Sequence, residues 1–244
     1  MLHNPFFGEL LGCLTLILLG GGVVAGVLLK QSKANDSGWI VITAGWGFAV
    51  MMGVFIANAA GSPQADINPA VTLAKYCLGV YSSFSVVLSL WVAQVIGCFL
   101  GAVLVWLAYL PHWKITDNPH FKLMVFSTHP ALHHRFGNFL TELIATTLLI
   151  VFVGALISYG NSLPFANGSL PYIFGFAIWS IGLSLGGPTG YAINPARDLG
   201  PRIAHSILPI PDKGSSDWGY VWVPIVGPLA GSILGVIIIH LFMF

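Results

Sequence analysis

The tripeptide Asn-Pro-Ala occurs twice in this chain, as Asn68-Pro69-Ala70 and Asn194-Pro195-Ala196, and each copy interrupts a strongly apolar region. Asn is a favoured helix N-cap. Pro is favoured at the first helical position, because its missing N–H would have no partner there. Each copy therefore predicts a helix that starts inside an apolar region. In a bilayer, backbone that is not helical survives only where it is buried in protein or lines a watery cavity. Two such breaks, one in each half, point to a pore or transport pathway built from an internal repeat.

Composition fixes the setting. The chain has 244 residues, of which 56% are hydrophobic and 7% charged, against about 25% charged for a soluble domain. A net charge of +1 without a basic cluster argues against a nucleic-acid partner and leaves the lipid bilayer and small solutes. The first apolar stretch, from Pro5 to Leu29, holds only Glu9 and has no Lys or Arg before it. It exceeds the roughly 7–15 apolar residues of a signal peptide, so it reads as a membrane helix. Cys13, Cys77 and Cys98 are odd in number and dispersed, which fits small core hydrophobes rather than a disulfide framework. With such short flanks around the first and last spans, regulation is expected to come from loops rather than from a tail.

A spanning helix needs about 20 mostly apolar residues. Six segments are read as spans: 6–29, 39–60, 84–109, 137–159, 171–187 and 219–243. Two shorter segments, 69–79 and 195–207, follow the Asn-Pro pairs and read as half-helices that dip in and stop. The run FGELLGCLTLILL resembles LTELIATTLLIVF, which aligns Glu9 with Glu142. Three spans per half is an odd number, so the second half enters from the opposite side. The expected fold is an all-α membrane protein, one channel domain over 1–244, with inverted repeats at 1–115 and 130–244. Gly97 and Gly101, and Gly227, Gly231 and Gly235, have the small-residue spacing that lets membrane helices approach closely.

Inversion brings the two half-helix N-termini together near the midplane. Each carries unpaired N–H groups and about half a positive charge. Their sum repels cations and hydrated protons but not neutral molecules. The side-chain amides of Asn68 and Asn194 are placed to donate to a passing oxygen. The meeting point suits neutral hydroxylic solutes crossing without ions. No cofactor, catalytic residue or resident metal is expected, because the spans hold no nucleophile–base pair or metal-ligand spacing.

The stretch GPTGYAINPARDLGPR, with ADINPAVTLA in the first half, resembles the major intrinsic protein family, the aquaporins and glycerol facilitators, over nearly the whole chain. The resemblance implies a multi-pass plasma-membrane protein, a homotetramer with one pore per subunit, and a selectivity filter whose arginine follows the second motif, here Arg197. Trp46, Gly182 and Tyr191 match the other filter positions of glycerol-passing members, and Asp198 is similar to theirs. Water-selective members usually have His where Gly182 stands. Absence of a side chain at Gly182 is expected to widen the constriction. Trp46 and Tyr191 would then form an apolar corner opposite Arg197, whose planar fork can serve two hydroxyls. Glu9 and Glu142 match family acids that accept backbone N–H groups from the re-entrant loops. Intramembrane carboxylates cost about 2.5–3.5 kcal/mol on insertion scales, so each needs such partners.

The sequence departs from the family pattern at Asp66, where His is usual two residues before the first motif. A solvated vestibule carboxylate is expected there, with tuning of the vestibule as the alternative. Tyr191 replaces a commoner Phe and adds a hydroxyl. His112, His120, His129, His133 and His134 crowd the loop between spans three and four, and read as a wet loop rather than a metal site. Lys30, Lys33, Lys114, Lys122, Arg135 and Lys213 fall on the side opposite to that preferred by basic loops, whereas the resemblance puts the N-terminus in the cytoplasm. The functional expectation is a passive channel for glycerol and other small neutral solutes with water. The alternatives are a channel mainly for lactic acid, urea, hydrogen peroxide or water, and a proton-coupled transporter using Glu9 and Glu142.

Overall fold

The computed structural model describes residues 3–162, 166 and 168–243. Ten helices occur among them: α1 (Pro5–Leu28), α2 (Trp39–Ala59), α3 (Pro69–Cys77), α4 (Phe84–Ala108), α5 (Leu110–Ile115), α6 (Pro119–Phe126), α7 (Arg135–Ser162), α8 (Leu170–Leu185), α9 (Pro195–Ile207) and α10 (Trp222–Phe242). Helices α1, α2, α4, α7 and α10 are long and apolar enough to cross a membrane. Helix α8 has 16 residues, about 24 Å at 1.5 Å per residue, short of a bilayer core of about 30 Å. It stops before Gly186, Gly187 and Pro188, where the chain turns toward the second motif.

The half-helices start where the motifs predict. The Oδ1 atoms of Asn68 and Asn194 accept the N–H groups of Ala70 (2.9 Å) and Ala196 (3.1 Å). Pro69 and Pro195 open α3 and α9. The same chemistry starts α1 at Asn4-Pro5 and α6 at Asn118-Pro119. Helices α5 and α6 correct the expectation of a wet loop. They bury Trp113, Lys122 and Phe126 at 1% exposure each, and α6 packs against α1 and α9.

Helix α4 packs on α1, and α10 packs on α7 in the matching way; α3 lies against α10 and α9 against α4. These exchanges make two inverted repeats. The glycine spacing explains the closeness: a Cβ on Gly101 would lie 2.5 Å from the Leu14 carbonyl, and one on Gly231 2.5 Å from that of Leu143. The repeats differ on one face. Gly8, Gly12 and Gly20 let α1 seat against α2, but Thr141, Ala145 and Val153 stand at the aligned places in α7. Helix α7 touches α8 only lightly, and its Leu149 and Val153 line a cavity instead. Cys13 and Cys98 are buried core residues as expected, whereas Cys77, at the end of α3, is exposed.

Candidate functional site

Each re-entrant loop is held by one carboxylate. Glu9 accepts the Ser62 hydroxyl (2.7 Å) and the N–H of Asp66 (2.8 Å) on one oxygen, and the N–H of Ile67 (2.6 Å) and the Gln94 amide (2.7 Å) on the other. Glu142 accepts the Thr189 hydroxyl (2.6 Å) and the N–H groups of Ala192 (2.9 Å) and Ile193 (2.8 Å). The backbone alternates into the left-handed region to allow this, with φ of 42° and 44° at Ala65 and Ile67, and 38° and 42° at Tyr191 and Ile193. Left-handed geometry costs an L-residue roughly 1–2 kcal/mol, offset here by charge-assisted hydrogen bonds of about 1.5–3 kcal/mol each.

The consequence follows from the planar trans peptide, whose N–H and C=O point opposite ways. With the N–H groups of residues 66, 67, 192 and 193 aimed at the carboxylates, the carbonyls of Ala65, Asp66, Tyr191 and Ala192 point away from them. All four residues line the cavity. A column of acceptors therefore runs along one wall. Leu16, Val50, Val54, Leu149, Val153 and Ile178 form the apolar wall.

The two motifs brace each other at the centre. Asn68 Nδ2 donates to the Ile193 carbonyl and Asn194 Nδ2 to the Ile67 carbonyl, both at 2.8 Å. A primary amide has two N–H donors, so one remains on each Asn for a solute. Ala70 and Ala196 are fully buried behind them, and the Ala70 carbonyl accepts the Ser232 hydroxyl of α10 (2.7 Å).

Toward one end the cavity reaches Trp46, Tyr191 and Arg197, and a second cavity lined by Trp39, Thr128 and His129 begins at the same three side chains. These three thus stand between two compartments. The Arg197 guanidinium lies over the Trp46 ring, 4.1 Å from its centroid. Gly182, grouped with them from the sequence, lines neither compartment. A Cβ there would meet the Tyr191 ring, so the space vacated at Gly182 is filled rather than open.

Asp198 turns away from the cavity. It pairs with Arg202 (2.7 Å) and accepts the N–H (2.8 Å) and hydroxyl (2.6 Å) of Thr128, which fixes the loop after α6 to α9. At the other end, Asp66 is not a solvated carboxylate. Its side chain is wholly buried, ion-paired to Lys75 at 2.5 Å and accepting the Tyr81 hydroxyl at 2.6 Å. Lys75 also donates to the Gln64 carbonyl (2.9 Å), and Gln64, Asp66 and Lys75 all line the cavity. The Tyr81 contact is not legible from the sequence, because Tyr81 lies beyond the half-helix in a turn.

Several basic residues on the Arg197 end are internal anchors. Lys213 donates to the carbonyls of His205 (2.7 Å), Ser206 (2.8 Å) and Leu208 (2.7 Å) at the end of α9. Lys122 donates to the Pro211 carbonyl, whereas Lys30 pairs with Asp117 at the exposed surface. Such groups are placed by the carbonyls and carboxylate they bind, so their sidedness says less about orientation than a loop count implies.

Inverted half-helices meeting at a cavity with one polar and one apolar wall define a membrane channel. Residues 2–239 match the family described as Major intrinsic protein. The chain belongs to that family, and is a multi-pass protein of the plasma membrane. It is 54% identical over 232 residues to the probable glycerol uptake facilitator protein of Thermotoga maritima, covering 95% of this chain and 96% of that one. It is 50% identical over 232 residues to the glycerol uptake facilitator protein of Bacillus subtilis, covering 95% and 82%. The X-ray structure of the aquaglyceroporin from Plasmodium falciparum superposes with a TM-score of 0.81 at 28% identity, covering 97% of this chain and 98% of that one.

Proposed function

We propose that the protein is a passive channel for glycerol and other small neutral solutes, with water, that excludes ions and protons and carries no catalytic activity. The observation that carries this reading is the junction at Trp46, Tyr191 and Arg197, where an aromatic corner faces a guanidinium between two compartments. A solute with a CH edge and an OH edge matches both sides, and beyond the junction its hydroxyls meet the carbonyl column and the free N–H of each Asn. Two half-helix N-termini at the centre disfavour cations.

In this reading Trp46, Tyr191 and Arg197 form the filter, with Gly182 making room for Tyr191. Asn68 and Asn194 form the midplane contact, and Glu9 and Glu142 the scaffold. The repeats span 1–115 and 130–244, and the Arg197 end faces outward. The assembly is a homotetramer with one pore per subunit. Exposed apolar side chains such as Val92, Ile96 and Leu100 on α4 are available to lipid or neighbouring subunits. Urea, lactic acid and hydrogen peroxide have the size and neutrality to share the path. Proton-coupled transport is disfavoured because Glu9 and Glu142 are already committed to four and three donors.

Light scattering from proteoliposomes tests the proposal. Rapid glycerol influx that ignores an imposed proton gradient is expected. Influx that saturates and follows the gradient would replace the channel with a coupled transporter.

A further inference from the structure

The fold of the loop after α6 creates a second polar cluster, outside the cavity wall just described. His129, His133 and Asp217 each present a ligand atom, and all three atoms lie within 4.8 Å of one another. His129 Nδ1 and Asp217 Oδ2 are 3.8 Å apart. Both atoms are enclosed and make no hydrogen bond among the described residues. A buried nitrogen and a buried carboxylate oxygen left unpaired are both costly, so their convergence asks for a third partner.

The scaffold around the cluster is stiff. Arg202 donates to the carbonyls of Ser216 (2.7 Å) and Asp217 (3.1 Å), and also to that of Thr128 (3.1 Å). Its other side is held by Asp198. One buried guanidinium thus fixes the backbone on both sides of the cluster, next to His129 and at Asp217 itself. Asp217 has φ of 47°, a left-handed turn that this anchoring maintains. His133, by contrast, is exposed and free to swing in, its ring 5.1 Å from that of His129.

The geometry points to a site for a divalent transition-metal ion held by His129, His133 and Asp217. Two imidazoles and a carboxylate are the donor set of zinc-like ions rather than of magnesium or calcium, which prefer all-oxygen shells. With bonds of about 2.0–2.2 Å, ligand atoms around a tetrahedral zinc stand about 3.4 Å apart. The 3.8 Å pair is close to that spacing, and rotation of His133 supplies the remainder. The fourth position stays open to water, as in sites with three protein ligands. His129 also lines the outer compartment together with Trp39 and Arg197, so the ion lies beside the mouth of the cavity.

Titration calorimetry of zinc into the purified full-length protein tests the assignment. One zinc per chain is expected, with affinity falling tenfold or more in His133→Ala and in Asp217→Asn. His134→Ala, an exposed neighbour outside the cluster, should bind zinc as the wild type does. Zinc should slow glycerol influx into wild-type proteoliposomes and leave His133→Ala unaffected, while the two proteins conduct equally in a chelator. Equal affinity in all three variants, or no binding to the wild type, would overturn the site.

Discussion

The Tyr191 ring occupies the volume that a side chain at residue 182 would need: a Cβ on Gly182 would lie 2.6 Å from Tyr191 Cζ and 2.8 Å from its hydroxyl oxygen. The glycine therefore acts on the cavity through the tyrosine. Gly182→Ala should push the ring toward Arg197 and narrow the junction. Overpacking of this kind costs roughly 1–3 kcal/mol, so the melting temperature should fall by a few degrees. Glycerol permeability should drop several-fold, and more than water permeability. Adding Tyr191→Leu to Gly182→Ala should recover glycerol flux. If the single variant lost water and glycerol in equal proportion, Tyr191 would not be the element that moves.

Glu9 and Glu142 are predicted to matter for folding rather than for coupling. Changing either to Gln puts an N–H donor against groups that are themselves donors. Each buried group left unsatisfied costs about 1–3 kcal/mol. Glu9, with four donors to Glu142's three, should be the more damaging site. Thermal unfolding in detergent should rank wild type above Glu142→Gln above Glu9→Gln. Whatever protein folds should still conduct glycerol without regard to pH gradient, and a gradient dependence that vanished with Glu9→Gln would point to a relay instead.

What the sequence disclosed, and what it hid, divides along physical lines. Helix starts were legible because Asn-Pro is a local signal, and all four such pairs, at residues 4–5, 68–69, 118–119 and 194–195, cap helices. The third reads as loop because hydropathy, not capping, marks spans, and α6, with eight residues, is too short to register. The midplane residues and the carboxylate pair were legible through repetition. Burial of Asp66 and filling of the space at Gly182 were not, since both depend on contacts between residues distant along the chain or brought together only by turns. The role of Arg202, inside α9, likewise shows only when Asp198, Thr128 and Ser216 are seen around it.

The Asp66–Lys75 pair makes a further stability prediction. Lys75→Met leaves Asp66 buried without its cation, which by analogy with other buried pairs costs about 3–5 kcal/mol. Asp66→Asn alone removes the carboxylate while keeping an acceptor for Tyr81, and should cost less. The double variant Asp66→Asn/Lys75→Met should be more stable than Lys75→Met alone, and a double-mutant cycle on the melting temperatures measures the coupling. Strict additivity would mean that the pair is screened by water in the cavity.

Arg197 over Trp46 sets the final prediction. A guanidinium above an indole face is worth about 0.5–2 kcal/mol depending on desolvation, and it orients the fork that meets solute hydroxyls. Arg197→Lys keeps the charge but loses the planar donor pair, so glycerol should slow while protons and ions stay excluded. Arg197→Ala removes both charge and bulk from one side of the junction between the two compartments. Permeability to urea and to polyols longer than glycerol should then rise relative to glycerol itself. Scattering measurements with these solutes, paired with a pH-sensitive dye inside the vesicles, separate the two effects. Unchanged solute ratios in Arg197→Ala would remove this residue from the filter and leave selection to Trp46 and Tyr191.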